Sequence, residues 1–127
     1  MQVDVEAVSQ AVEHVSQIYA EKFGIERDAT WFILKLQEEM GELIQSYLML
    51  AGKARTKGKS PEKIRSEFNQ EVADVFCHTL LLARFYGIDL EKVVEEKWLL
   101  WNKTERNEES ARDQRQRASF DNTGATI

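Results

Sequence analysis

Apolar residues recur every three or four positions in the first half of the chain, which is the pattern of amphipathic helices. One stripe consists of Val5, Val8, Val12, Val15 and Tyr19. A second stripe consists of Leu36, Met40, Leu43, Tyr47 and Leu50. The first helix should end near Gly24 and the second near Gly52, because glycine commonly follows a helix. Asp28 and Thr30 are both candidates to cap the start of the second helix.

Two further helices are predicted after a basic loop at residues 53–60. Ser60, Pro61 and Glu62 indicate a helix start, because serine caps a helix, proline suits its first position and an acid favours its first turn. The third stripe consists of Phe68, Val72, Val75, Phe76, Thr79, Ala83 and Tyr86, followed by Gly87. Asp89 should cap a fourth helix, in which Trp98 and Trp101 are assigned to packing. Its stripe consists of Leu90, Val93, Val94, Trp98 and Trp101.

These elements predict an all-α fold, arranged as an antiparallel four-helix bundle, because four helices follow one another with mostly short links. We expect one helical domain over residues 1–106. Residues 107–127 carry many charges and few apolar side chains, which predicts a frayed or disordered tail.

Composition narrows the class of protein. The chain has 127 residues, enough for a hydrophobic core, and a net charge of −5, which argues against binding to a nucleic-acid polymer. The single cysteine, Cys77, cannot form an internal disulfide and is typical of a reducing compartment. No apolar run approaches the roughly 20 residues of a membrane span, and the N-terminus lacks the order of a signal peptide. We therefore expect a cytoplasmic protein without membrane contact.

Two acidic clusters lie on the predicted helices: Glu38, Glu39 and Glu42 on the second, and Glu71 and Asp74 on the third. Since a helix turns about 100° per residue, each cluster borders its apolar stripe, and packing of the two stripes would place the acids around one groove. No lysine or arginine follows Glu39 or Glu42 by three or four residues, so the usual helical ion pairs are missing. Carboxylates gathered in this way repel one another unless a cation lies between them.

An all-carboxylate site suits a hard cation, chiefly Mg²⁺, with Mn²⁺ as a substitute. A di-iron bundle would need Glu-x-x-His, which the chain lacks. Zinc is disfavoured because Cys77, His78 and His14 lack the spacing of a zinc finger. The alternatives are two solvated helix faces, or an acidic docking face for a basic partner in a non-catalytic helical module.

The motif Glu38-Glu39-x-x-Glu42, followed later by Glu71-x-x-Asp74, resembles the signature of the MazG-like all-α nucleoside triphosphate pyrophosphohydrolases. The resemblance implies that Glu39, Glu42, Glu71 and Asp74 bind Mg²⁺, while Glu38 serves catalysis by binding a further ion or orienting the attacking water. It also implies cleavage of the α–β phosphate bond of (d)NTPs to a monophosphate and pyrophosphate, as in housecleaning enzymes. Relatives complete the site with a second subunit, so we expect a homodimer or a dimer of dimers.

Other residues are candidates to bind the nucleotide. The segment with Lys97 and Asn102 resembles the basic segment of the family, which implies that Lys97 contacts phosphate and Asn102 phosphate or base. His78 either contacts the nucleotide or is a half-buried structural histidine. Lys35 either contacts phosphate or pairs with the acids one turn later. Trp31 either stacks on a base or packs in the core or a subunit interface, and the sequence favours packing.

A related activity is the nearest alternative. Asp74-x-x-x-His78 resembles phosphoribosyl-ATP pyrophosphohydrolases of histidine synthesis. The segment with Lys97 and Asn102, together with the additional first helix, favours the nucleoside triphosphatase instead.

Overall fold

The computed structural model describes the backbone of residues 4–123, and the side chains of residues 4–101 and 106–119 within it. Its helices are α1 (Val5–Phe23), α2 (Ala29–Leu50), α3 (Pro61–Phe85), α4 (Leu90–Val94) and α5 (Leu100–Thr123), with a π-helical turn at Glu95–Leu99. No strand occurs in this range, so the all-α prediction is confirmed. None of the described helices combines the length and apolar character of a membrane span.

Local capping explains where the helices begin and end. The Asp28 carboxylate accepts a hydrogen bond from the Trp31 amide at 2.8 Å, so Asp28 caps α2. The Ser60 hydroxyl accepts one from the Lys63 amide at 3.2 Å, which confirms the predicted start of α3. Gly24 ends α1 with φ = 63°, a left-handed conformation that glycine adopts without the steric cost of a Cβ atom.

The chain divides into two compact units, Met1–Ile88 and Asp89–Ile127, and each is described by itself. In the first unit, α2 and α3 pack along their lengths, and α1 packs against α3. The α2–α3 pair is antiparallel, because Glu42 approaches Glu71 whereas Glu39, earlier on α2, approaches His78, later on α3. The first unit is thus a three-helix arrangement, and the four-helix bundle stays a prediction.

The buried face of each helix differs from its predicted apolar stripe. The buried apolar residues are Ala20, Phe32, Ile64, Leu80, Leu81 and Ala83. Met40 and Tyr47 of α2 and Phe76 and Tyr86 of α3 are exposed, so their assignment to the core is wrong for the described chain. The reason is rotation about each helix axis: the α2–α3 contact lies on the side that carries Glu39, about 100° from Met40.

Unit Asp89–Ile127 contains α4, the π-helical turn and α5. The helix continues to Thr123, whereas the sequence predicts a frayed or disordered tail from residue 107. The residues there favour helix locally, and Glu108 pairs with Arg112 one turn later at 3.8 Å, so helix forms although nearly all described side chains of the segment are exposed. Residues 124–127 lie outside the described part, and the domain boundary at residue 106 stays a prediction. Trp98 and Trp101 are 67% and 69% exposed, contrary to their assignment to packing.

Candidate metal centre

Three of the four predicted metal ligands come together between α2 and α3. Glu39, Glu42 and Glu71 each present one carboxylate oxygen, and these oxygens all lie within 4.8 Å of one another. Glu39 and Glu42 can meet because residues three apart share one side of a helix. Glu71 joins them because α3 runs antiparallel at this level. We call these three residues the carboxylate cluster.

The most unusual member of the carboxylate cluster is Glu39, which is only 7% exposed. Its Oε2 atom is buried and has no hydrogen-bond partner among the described residues, and the same holds for Oε2 of Glu71. A buried polar oxygen without a partner costs about 1–3 kcal/mol, and more when it is charged. Within the described residues nothing satisfies these two oxygens, which leaves them available to a cation or a water molecule.

Burial and mutual repulsion shift the titration of the cluster. Burial, followed by the charges of Glu42 and Asp74, raises the pKa of Glu39 to about 7. The pKa of Glu71 is also raised, first by burial and then by Glu42 and Asp74. Both shifts reflect burial and the excess of negative charge around the two carboxylates, and a bound cation would reverse them.

Lys35 supplies only part of that positive charge. Its Nζ atom lies 3.2 Å from Oε2 of Glu38 and 3.9 Å from Oε1 of Glu39. Burial alone would lower the pKa of Lys35, but the hydrogen bond and charge of Glu38, followed by the charge of Glu39, raise it. Lys35 pairs with these acids in the structure, and its contact with phosphate stays a prediction. Glu38 is exposed and stands outside the carboxylate cluster, so its catalytic role stays a prediction.

Asp74 and His78 border the cluster on α3. Asp74 is exposed and lines a cavity together with Glu39 and His78. Nε2 of His78 lies 3.7 Å from Oε1 of Glu39, and its Nδ1 atom is buried without a hydrogen-bond partner in the described chain. Burial, and next the charge of Lys35, lower the pKa of His78, which favours a neutral imidazole at pH 7. His78 is thus half-buried beside Glu39, and its contact with a nucleotide stays a prediction.

The cavity beside the cluster has a volume of about 490 Å³, within the range of small-molecule sites. It is lined by Ala11, Val12, Val15, Ser16 and Tyr19 from α1, Trp31, Lys35 and Glu39 from α2, and Asp74, Cys77, His78 and Leu81 from α3. Sequence reasoning assigned none of the α1 residues to the site. The available signal was the stripe of α1, in which Val15 and Tyr19 stay exposed and form a wall of the cavity.

Lys97 and Asn102, the remaining predicted substrate ligands, belong to the unit Asp89–Ile127. Lys97 is exposed and lies in the π-helical turn. The side chain of Asn102 lies outside the described residues. The Leu100 amide donates to the Glu95 carbonyl, five residues earlier. In a regular helix Lys97 and Asn102 would lie about 140° apart around the axis, but this value does not apply across the π-helical turn. Both assignments stay predictions.

No family model matches this chain, and no curated protein matches it. A functional assignment must therefore rest on the site. Its distinguishing features are a buried carboxylate with an unpartnered oxygen, two further carboxylates within reach of the same ion, and an adjacent cavity of mixed polarity.

Proposed function

We propose that this protein is a Mg²⁺-dependent nucleotide pyrophosphohydrolase that cleaves the α–β phosphate bond of (d)NTPs to give a monophosphate and pyrophosphate, as a housecleaning enzyme. The observation that carries the proposal is Glu39. A carboxylate that is 93% buried, with one oxygen unpartnered and two further carboxylates beside it, is costly unless a cation binds there.

The donor set fits Mg²⁺ or Mn²⁺. The carboxylate cluster offers only oxygen atoms, which hard divalent cations prefer. Three carboxylates leave positions for water and for phosphate oxygens, as Mg²⁺ sites in phosphate-processing enzymes usually do. Glu39, Glu42 and Glu71 would hold the ion, and Asp74 at the cavity edge would add a ligand when substrate is bound.

A bound Mg²⁺ would neutralise phosphate charge and lower the pKa of a coordinated water. The chain itself supplies Glu38 as the base and Lys35 as the residue that orients it. Lys35 donates a hydrogen bond to Glu38, which restricts the position of that carboxylate. In the proposed reaction, Glu38 orients a water molecule and takes its proton while the water oxygen bonds to one phosphorus of the α–β linkage. The bond from that phosphorus to the bridging oxygen breaks, and the bridging oxygen leaves with the electron pair, which gives the monophosphate and pyrophosphate.

The cavity supports a nucleotide rather than inorganic polyphosphate. Val12, Val15 and Leu81 give it apolar walls, and Trp31 adds an aromatic ring, while the carboxylate Glu39 lies at one side. A ligand that fits must combine an anionic group, held through the metal, with an apolar or planar group. A nucleoside triphosphate meets both requirements. Within this proposal Lys97 binds phosphate and Asn102 binds phosphate or base.

We extend the proposal to a homodimer. Met40 and Ile44 of α2, and Val72 and Phe76 of α3, are exposed although apolar. By helix periodicity they lie on the side of the α2–α3 pair away from Glu42 and Asp74. The patch carries no charge, so a second copy can meet it in a two-fold arrangement without like-charge repulsion. We place the protein in the cytoplasm, where its substrates occur and a free Cys77 stays reduced.

The test is release of pyrophosphate from each common NTP and dNTP with Mg²⁺ present. We expect Glu39→Gln and Asp74→Asn to reduce turnover at least about 1,000-fold, because each removes a charge that binds the ion. Circular dichroism should show an unchanged helical signal. Glu21→Gln, an exposed glutamate of α1 outside the cavity, is the matched control and should retain activity. Full activity in both site variants would refute the assignment.

A further inference from the structure

Helix α1 forms one wall of the cavity but has a small buried surface of its own. Five of its residues line the cavity, among them Val15, Ser16 and Tyr19. Its only buried residues in the described range are Ser9 and Ala20, both small. Small side chains remove little apolar area from water, so apolar burial alone holds α1 weakly. The shape of the cavity must then depend on other contacts that attach α1 to α2 and α3.

Arg27 provides the most buried of these contacts. It belongs to the segment between α1 and α2, and its guanidinium donates hydrogen bonds to Glu13 Oε1 at 2.5 Å and to Ser16 Oγ at 3.2 Å. The side chains of Arg27 and Glu13 are only 15% and 20% exposed. The guanidinium carbon also lies 5.3 Å from the centre of the Phe32 ring, and Phe32 is 3% exposed in the core. Arg27 thus ties α1 to the buried face of α2.

A second attachment is weaker. Arg84 of α3 donates to Glu6 Oε1 at 2.9 Å and to Ser9 Oγ at 3.4 Å. Its pair with Glu6 is 33% and 60% exposed, and exposed ion pairs contribute little to stability. The partly buried pair of Arg27 with Glu13 is screened less and is reinforced by the aromatic ring. Arg27 is therefore the stronger of the two polar attachments of α1.

We propose that Arg27 is a positioning residue that fixes α1 as a wall of the ligand cavity and thereby sets the affinity for the nucleoside part of the substrate. Arg27 is not among the residues that line this cavity, so its effect passes through Ser16 and the rest of α1. The expected changes in KM and kcat rest on the proposed nucleotide hydrolysis. The proposal also makes a separate statement about the position of α1, which can be measured without catalysis.

The kinetic test compares Arg27→Met, Arg27→Lys and the wild type. Methionine keeps an apolar side chain but lacks the positive charge and the guanidinium N–H donors of arginine. Lysine restores the charge alone. We expect Arg27→Met to raise KM about 10-fold with kcat changed less than about 2-fold, and Arg27→Lys to lie between. Arg65→Met is the matched control, because Arg65 is exposed on α3, 6.0 Å from the Phe68 ring. Its KM should equal that of the wild type.

The structural test uses Trp31 of α2, which lines the same cavity as α1. With Trp98→Phe and Trp101→Phe in the background, Trp31 becomes the sole tryptophan of the chain. Acrylamide should quench its fluorescence at least about 2-fold more strongly after Arg27→Met, because a displaced α1 uncovers the ring. If Arg27→Met fails to fold, Glu13→Gln replaces it, since it removes the same ion pair from the other side and should give the same KM and quenching changes.

Each outcome decides the question. A raised KM with recovery in Arg27→Lys, together with stronger quenching, supports the proposal. An unchanged KM, a loss confined to kcat, equal effects of methionine and lysine, or unchanged quenching overturns it. If the wild type hydrolyses no nucleotide, the proposed function fails instead. The quenching of Trp31 then decides the position of α1 alone.

Discussion

Replacing Glu39 by glutamine should stabilise the metal-free protein above neutral pH, although the same change should abolish activity. Burial, together with the charges of Glu42 and Asp74, raises the pKa of Glu39 from 4.5 to about 7 in the folded chain. A carboxyl with a raised pKa holds its proton more tightly when folded than when unfolded. The folded state therefore loses stability as pH rises from about 4.5 to about 7, and the loss is complete above that range.

The size of the effect follows from the pKa difference. At about 1.4 kcal/mol for each pH unit, the change from 4.5 to about 7 corresponds to roughly 3 kcal/mol. The Glu39 side chain is only 10% exposed, so solvent screening reduces this value little. Glutamine keeps the shape of the glutamate side chain but places an amide in the buried site. Burial of this amide offsets part of the increase in the free energy of unfolding. We therefore expect Glu39→Gln to raise the free energy of unfolding at pH 8 by about 1–3 kcal/mol.

The assay is urea unfolding followed by circular dichroism at pH 5 and pH 8 with a chelator present. The wild type should lose stability between the two pH values, and Glu39→Gln should lose less. Glu38→Gln is the matched control, because Glu38 is exposed and pairs with Lys35 at the surface, so a change within about 0.5 kcal/mol is expected. At pH 8, Mg²⁺ at ten times its Kd should stabilise the wild type by about 1.4 kcal/mol and the variant less.

The reasoning fails if Glu39→Gln is no more stable than the wild type at pH 8 without metal. Glu39 would then be solvated or paired in the folded protein, and the main argument for a metal ion would be lost. A gain equal to that of Glu38→Gln would contradict it as well, because the exposed neighbour lacks the desolvation that Glu39 carries.

The apolar patch and α5 give two further predictions. Phe76→Glu should convert a dimer to a monomer in gel filtration while leaving the helical signal unchanged, and a monomeric wild type would contradict the dimer. Deleting residues 107–127 should change the free energy of unfolding by less than about 0.5 kcal/mol, because the described side chains there are exposed, apart from a half-buried Ala111. A loss above about 1 kcal/mol would show that this segment packs on the fold.

Helix starts could be predicted from the sequence because capping is local. Ser60 and Asp28 each find their hydrogen-bond donor three residues later, so neighbouring sequence contains both partners. The meeting of Glu39 and Glu42 with Glu71 was predictable for a related reason. Spacing on each helix fixes the side on which the acids lie, and a single assumption, that α2 packs on α3, brings them together.

The orientation of the helices could not be predicted in the same way. An apolar stripe shows which residues would gain from burial, but not which of them a neighbouring helix covers. Met40 and Phe76 have the character of core residues and are exposed, whereas Glu39 is buried. Burial of Glu39 is unfavourable for folding alone, so no pattern based on hydrophobicity indicates it. For the same reason, the sequence did not predict that Val15 and Tyr19 form a wall of the cavity.

The π-helical turn at Glu95–Leu99 has a consequence for tracing the ancestry of the chain. The bond from the Leu100 amide to the Glu95 carbonyl encloses one residue more than an α-helical turn does. A single-codon insertion into a regular helix leaves this geometry. Deleting one residue there should restore the α-helix and turn Trp101 and everything after it by about 100°. Comparison with a chain that has a regular helix at this place would therefore need a gap of one residue to align α5.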